Sequence, residues 1–329
     1  MPANLPPLYR KAEEEYRRAQ TSAEQVSCLE KLLTLIPRHK GTEHLQADLK
    51  TRLKEARAAI QADQLSAGKS RSYRIPRQGA GTVVLVGAPN SGRSRIVAEL
   101  TNAEPDVAVY PFTTREPFPA MMPCDGALVQ LIDTPPVAEG CLEPYLVNYV
   151  RSADLVLLCV DGSSDTADED TRDVIQQFER RKTLLSNETG FDEKNYSRLH
   201  VRTLLVITRG SHPALQTRLE RMHESLSRRL PIICTELTEA SSRESLRQHI
   251  FASLDVIRVF TKAPGQPAKY EDPFTIPRDG TIDDLARCVH CDLAATLKFA
   301  RVWGDGVHDG QSVGRDHRLS EGDLIELHS

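Results

Sequence analysis

"TVVLVGAPNSGRSRIVAEL", residues Thr82 to Leu100, decides how this chain is read. Its first residues are apolar and largely β-branched, as in a buried strand. Its last seven, "SRIVAEL", read as a helix. Between them "GAPNSGRS" fits the phosphate-loop pattern G-x-x-x-x-G-K-[ST] at every defined position but one: Arg93 stands where the lysine belongs. Gly87 and Gly92 let backbone N–H groups turn inward around phosphate oxygens, and the helix N-terminus adds partial positive charge. Asn90, Ser91, Arg93 and Arg95 complete the candidate cradle, and Ser94 is placed to ligate Mg²⁺. The plainer alternative is a doubly wound fold whose first turn binds nothing.

Outward from this stretch the pattern alternates up to about residue 254. "GALVQLID", "ADLVLLCVD", "RTLLVIT" and "PIICT" are further buried-type strands. Helical stretches such as "DEDTRDVIQQFERRKTLL" and "SSRESLRQHIFASL" lie between them. Apolar strands alternating with helices imply an α/β fold, a mostly parallel sheet with helices on both faces. Ligands of such sheets sit at the carboxyl ends of the strands.

On the N-terminal side, residues 1–62 form a helical region. Leu45, Leu49, Leu53, Ala56 and Ile60 fall on one stripe. Residues 63–81 are a linker by composition, and Lys69, Arg71, Arg74 and Arg77 make it basic enough to touch a phosphate backbone. On the C-terminal side, residues 255–329 read as a small α+β domain. There "IDDLARCVHCDLAATL" reads as a helix, and Trp303 as a core residue under a sheet. The C-x-x-C at Cys288 and Cys291 lacks a second pair and is a weak metal signal.

The chain has 329 residues and a formal net charge of −4, so no overall field draws it to nucleic acid. Its seven scattered cysteines suggest no disulfide framework, and a reducing cytoplasm is the expected home. The apolar runs are too short to span a bilayer, so no membrane partner is expected.

Two further elements narrow the reading. "LIDTPP" ends a strand on Asp133, where a phosphate-loop protein holds Mg²⁺. "LTNAEPDVAVYPFTT" carries an Asn-Ala and then Tyr-Pro-Phe-Thr-Thr. With "GAPNSGRS", these resemble the Obg family of GTPases. "FTKAPGQP", "VHCDL", "FARVWG", "QSVGRDH" and "EGDLIEL" resemble the TGS domain, a β-grasp module, of that family's developmentally regulated (DRG) branch. The resemblance implies a Ras-like P-loop G domain at 82–254 and a TGS domain at 255–329. It implies that Thr113 and Thr114 form part of the nucleotide site, with Thr114 sensing the γ-phosphate. It also implies Mg²⁺ on Ser94, Thr114 and Asp133, K⁺ on Asn90, GTP as ligand, and ribosome or RNA as partner.

The departures fall on nucleotide-contacting positions. Arg93 replaces lysine, and a planar guanidinium does not do the work of a compact ammonium. Asp133-Thr134-Pro135-Pro136 has Pro where the family Gly would offer an N–H to the γ-phosphate. The guanine-reading Asn-Lys-x-Asp is replaced by Thr208-Arg209-Gly210-Ser211, so Ser211 lacks the carboxylate that accepts two hydrogen bonds from guanine. Arg209 retains a stem that can stack over a base. Thr235-Glu236-Leu237 matches the last motif, Ser-Ala-x, only loosely. Val137 stands where Ras-like enzymes hold a water-orienting Gln. The expectation is a GTP-binding protein with weak or absent hydrolysis. The alternative is a pseudo-GTPase, a scaffold that binds partners through its TGS and helical regions without nucleotide.

Overall fold

The structure, a computed structural model, describes residues 5–19, 21–37, 42–65, 75–103, 116–137, 142–192, 195, 197–226, 229–268 and 270–329. Thr113, Thr114 and Lys69, Arg71 and Arg74 of the basic linker lie outside the described residues.

Three helices open the chain: α1 (Pro7–Arg18), α2 (Ser22–Leu35) and α3 (Glu43–Leu65). Thr21 caps α2 with a reciprocal Thr21–Glu24 capping box. Leu45, Leu49 and Ala56 of the leucine stripe are buried against Tyr9, Leu29 and Leu32.

The central sheet follows. Its elements are β1 (Thr82–Gly87), α4 (Arg93–Leu100), β2 (Phe118–Cys124), β3 (Ala127–Asp133), α5 (Pro144–Ser152), β4 (Leu155–Asp161), α6 (Ala167–Arg180), β5 (Thr183–Ser186), β6 (Gly190–Phe191), β7 (Leu199–Thr208), α7 (Leu215–Ser225), β8 (Ile232–Cys234) and α8 (Ala240–Ser253). Strand order is β2-β3-β1-β4-β7-β5, with β6 and β8 also paired to β7. β1, β3, β4, β5, β7 and β8 run parallel, whereas β2 and β6 are antiparallel to their partners. The period of two along β1 sends Val84 and Val86 into one core with α5 and α6. It sends Val83 and Leu85 into another with α4 and α8. Both faces are covered, which is why β1 reads as one continuous apolar run.

A second sheet of five strands ends the chain, in the order β10-β9-β13-β11-β12. These are β9 (Val256–Lys262), β10 (Phe274–Pro277), β11 (Phe299–Trp303), β12 (Gln311–Val313) and β13 (Leu324–His328), with α9 (Ile282–Val289) and α10 (Cys291–Thr296) after β10. β9 and β13 are parallel, and the other pairs antiparallel. Ile282, Leu285 and Ala286 of α9 pack on Ile257, Val259, Val302 and Ile325. Among the described residues, no helix is long and apolar enough to cross a membrane.

Four local readings change. The stretch from Asp168 does not stay helical through Leu185: α6 ends at Arg180, Lys182 has φ +58°, and β5 pairs with β7. Leu184 and Leu185 are better buried as a strand. The helix expected over 282–297 breaks at His290, which is extended and caps α10. β2 escapes sequence reading because Pro119 and Pro123 disguise it; it pairs only with β3, and an edge strand tolerates proline. Trp303 is not core. Ala300 and Val302 take the inward register of β11, leaving Trp303 half-buried with Lys262 Nζ 4.2 Å from its ring centroid.

Asp154 ties the N-terminal part to the start of β1. Its carboxylate accepts from the Thr82 N–H at 2.8 Å and from Arg77, and Arg17 lies 3.8 Å away. The Arg17 and Arg77 guanidinium groups also donate to the Ala153 and Ser152 carbonyls, at 2.6 and 2.8 Å. Removing the carboxylate leaves two partly buried cations and one N–H without it. Asp154→Ala is therefore expected to lower stability by about 2 kcal/mol in urea unfolding. An unchanged midpoint would show that the clamp is incidental.

Candidate functional site

The parallel registers bring the carboxyl ends of β1, β3, β4, β7 and β8 to one edge of the central sheet. The phosphate-loop stretch leaves β1 there. A Cβ on Gly87 would lie 2.5 Å from the Cys159 carbonyl oxygen and 2.6 Å from Ser91 Oγ. Gly92 has φ +88°, and a Cβ there would meet the Thr208 side chain at 2.8 Å. Both positions therefore demand glycine, one by close approach and one by conformation as well. Asn90 adopts φ +61°, which Asn tolerates. Helix α4 starts directly after Gly92, with no side-chain cap and no acid of its own in the first turn, which suits its N-terminus to a negative charge. Ser91 Oγ is buried, with no hydrogen-bond partner among the described residues.

Arg93 and Ser94 both reach the end of β3. Arg93 is buried, and its Nη1 donates to the Thr134 carbonyl at 2.5 Å. Its Nε is buried, with no hydrogen-bond partner among the described residues. Burial depresses the guanidinium pKa, while Asp133 opposes that shift. Ser94 Oγ donates to Asp133 Oδ2 at 2.5 Å. The two candidate Mg²⁺ residues thus meet, whereas Thr114 lies outside the described residues. A hydroxyl and a carboxylate are hard oxygen donors suited to Mg²⁺. Among the described residues, no group of three or more His, Cys, Asp or Glu could hold a metal. Any Mg²⁺ held by Ser94 and Asp133 would need further oxygen ligands to complete its octahedral shell. Arg95 pairs with Glu99 at 2.6 Å on the surface of α4, so its side chain is engaged away from the loop.

The segment after β3 is short of donors. Pro135 and Pro136 have no N–H, and the Val137 N–H is bonded to the Gly87 carbonyl at 3.0 Å. The Val137 side chain is buried. From Pro135 to Val137 no backbone donor is left for a phosphate.

The loop after β7 is joined to the phosphate loop through Thr208. Its hydroxyl lies 3.3 Å from the Ser91 carbonyl and 3.2 Å from that of Val160. Arg209, at φ +55°, bonds Asp161 and also Ser163 Oγ at 3.1 Å. Ser211 Oγ donates to Glu236 Oε2 at 2.7 Å. The anchoring of Arg209 by Asp161 and Ser163, and the contact of Ser211 with Glu236, escape the sequence reading. Asp161 at the end of "ADLVLLCVD" and the acid in "TEL" were their only visible signals.

Beside the loop, a cavity of about 280 Å³ is lined by Pro89, Asn90, Ser91, Asp161, Thr166 and Asp170. A larger one, about 610 Å³, lies away from the strand ends, between α1, the start of β1 and β10.

Residues 82–188 match the family described as 50S ribosome-binding GTPase, and residues 257–329 match the TGS domain. An uncharacterized GTP-binding protein of Halobacterium salinarum is 25% identical, aligned over 92% of this chain and 98% of its own length. A developmentally-regulated GTP-binding protein 2 homolog of Dictyostelium discoideum is 23% identical over 92% and 98%. The YchF GTPase of Schizosaccharomyces pombe shares the fold at a TM-score of 0.51 and 12% identity, covering 77% of this chain and 99% of that one. The chain thus carries a GTPase domain followed by a TGS domain, and along most of its length it is similar to developmentally-regulated GTP-binding proteins.

Thr208 gives a direct test of how the two loops are joined. Thr208→Val keeps shape and removes the hydroxyl, leaving two buried carbonyls without that donor. The expected loss is about 1 kcal/mol of stability, read as a lowered melting temperature. An unaltered melting temperature would show that the loops are held by packing alone.

Proposed function

We propose that this chain binds GTP with Mg²⁺, hydrolyses it slowly or not at all, and works with the ribosome or RNA. The observation that carries the reading is the Ser94–Asp133 pair at 2.5 Å, set beside an uncapped helix N-terminus. A loop kept only for its fold has no need of that pair. In this reading Gly87, Asn90, Ser91, Gly92 and the start of α4 cradle the phosphates. Ser94, Thr114 and Asp133 organise Mg²⁺, Thr113 joins the nucleotide site, and Asn90 offers an oxygen to K⁺. Mg²⁺ would neutralise phosphate charge. Thr208, Arg209 and Ser211 border the base. The division into 1–62, 63–81, 82–254 and 255–329 then assigns nucleotide to the third segment and partners to the others. The match to the family described as 50S ribosome-binding GTPase is the support for a ribosomal partner.

Slow hydrolysis follows from what the β3 end lacks. Val137 cannot orient a water, and Pro136 cannot donate to a γ-phosphate. The second reading, a nucleotide-free scaffold, draws on one observation: the Arg93 guanidinium is buried and bonded to Thr134 rather than presented to the loop.

Titration with labelled GTP, with and without Mg²⁺, separates the two. Saturable binding strengthened by Mg²⁺ is expected, together with loss of the Mg²⁺ effect in Ser94→Ala. Arg93→Lys frees a compact ammonium to reach phosphate oxygens and is expected to tighten GTP by about tenfold. No saturable binding by the natural chain at high micromolar concentration would leave the scaffold reading.

A further inference from the structure

This inference rests on the nucleotide reading above and concerns which group reads the base. The loop after β7 has lost its carboxylate, since Ser211 carries only a hydroxyl. A carboxylate is nonetheless in place. Glu236, from the loop after β8, holds Oε2 2.7 Å from Ser211 Oγ. Side-chain chance does not set this meeting. The Gly210 N–H donates to the Thr235 carbonyl at 3.0 Å, and the Thr235 N–H to the Ile207 carbonyl at 2.8 Å. A Cβ on Gly210 would lie 3.1 Å from the Thr235 nitrogen, so the loops touch backbone to backbone.

The Glu236 side chain is steadied from two sides. Oε2 accepts from Ser211, and Oε1 accepts from the Thr238 hydroxyl at 3.0 Å. The Glu236 N–H donates to Ser242 Oγ at 2.9 Å, which pins the backbone. The Ser211 and Thr238 hydrogen bonds, rather than a cation, hold the carboxyl below its usual range, so it is ionised at neutral pH. Each oxygen has a second lone pair, so two acceptor sites remain. Thr208, three residues before Ser211, ties this loop cluster to the phosphate loop.

We propose that Glu236 is the specificity-determining residue for the base. Its carboxylate accepts the N1–H and N2–H of guanine, in place of an acid at position 211. Two acceptors match two donors on that edge of guanine. Adenine presents an unprotonated N1 there, which a carboxylate repels. Hypoxanthine lacks the 2-amino donor, and xanthine has a carbonyl in its place. A site built to accept particular N–H groups discriminates strongly against bases lacking them.

The test titrates the full chain with fluorescent GDP, IDP, XDP and ADP in the presence of Mg²⁺, and repeats it with Glu236→Gln. The variant side chain is half-exposed and isosteric, and a melting curve checks its fold. The natural chain is expected to bind GDP about tenfold or more tighter than IDP or ADP. Glu236→Gln is expected to lose GDP by about tenfold or more and to gain XDP, because its amide N–H₂ can donate to the C2 carbonyl. Ser211→Ala, which removes one steadying hydroxyl, is expected to weaken GDP by only a few-fold. A Glu236→Gln protein with an unchanged GDP-to-IDP ratio overturns this assignment and leaves nucleotide binding standing. Equal binding of GDP and ADP by the natural chain does the same. Failure of the natural chain to bind any of the four overturns the nucleotide reading, and this proposal with it.

Discussion

Two adjacent side chains at the start of α4 reach across to the end of β3, and the site depends on that crossing. Arg93 bonds the Thr134 carbonyl and Ser94 bonds the Asp133 carboxylate. The crossing sets the distance between the phosphate loop and the segment that follows β3. It is possible only because Gly87 and Gly92 let the loop pass against the Cys159 carbonyl and Thr208. A side chain at either glycine would push the loop off both neighbours. The Val137 N–H closes the same arrangement from the other side by bonding Gly87. The loop is thus held by β3, β4 and β7 together, and its shape comes from the whole strand edge.

Arg93 is the point of tension in this arrangement. A buried guanidinium is costly, the more so as its Nε has no partner among the described residues, and the same burial pushes its pKa down. Asp133 offsets part of it from the neighbouring residue. The same carboxylate therefore serves the arginine electrostatically and Ser94 by a hydrogen bond. A change at Asp133 would disturb the cation and the candidate Mg²⁺ pair together, whereas Ser94 can be altered without stranding the cation.

Much of the fold was legible in the sequence because burial on both faces leaves long apolar runs. β1, β3, β4 and β7 announce themselves in that way. β2 did not, since its two prolines belong to an edge strand whose outer side needs no ladder partner. β5 hid behind the charged tail of α6, and only the pairing of Leu184 and Leu185 with β7 separates it. Trp303 was misread because composition does not reveal which register of a strand faces inward. The phosphate-loop residues could be found by spacing, since their chemistry is local. The Ser211–Glu236 contact could not, because it joins two loops across 25 residues, and only the pairing of β7 with β8 makes them neighbours.

That last contact changes what the three departures from the family pattern mean on the proposed reading. Each removed group has a different local outcome. The lysine charge is kept, as a guanidinium drawn under the loop. The acid lost at Ser211 reappears on Glu236. The N–H lost at Pro136 has no substitute among the described residues of that segment, because Pro135 also lacks one and the Val137 N–H is already bonded to Gly87. A base site and a metal pair can therefore persist while contact with the γ-phosphate fails. Loss of the γ-phosphate donor removes the link by which hydrolysis would move the β3 end. A protein so altered would hold its nucleotide as a fixed part of its structure, and its TGS and helical regions would face their partners in one state.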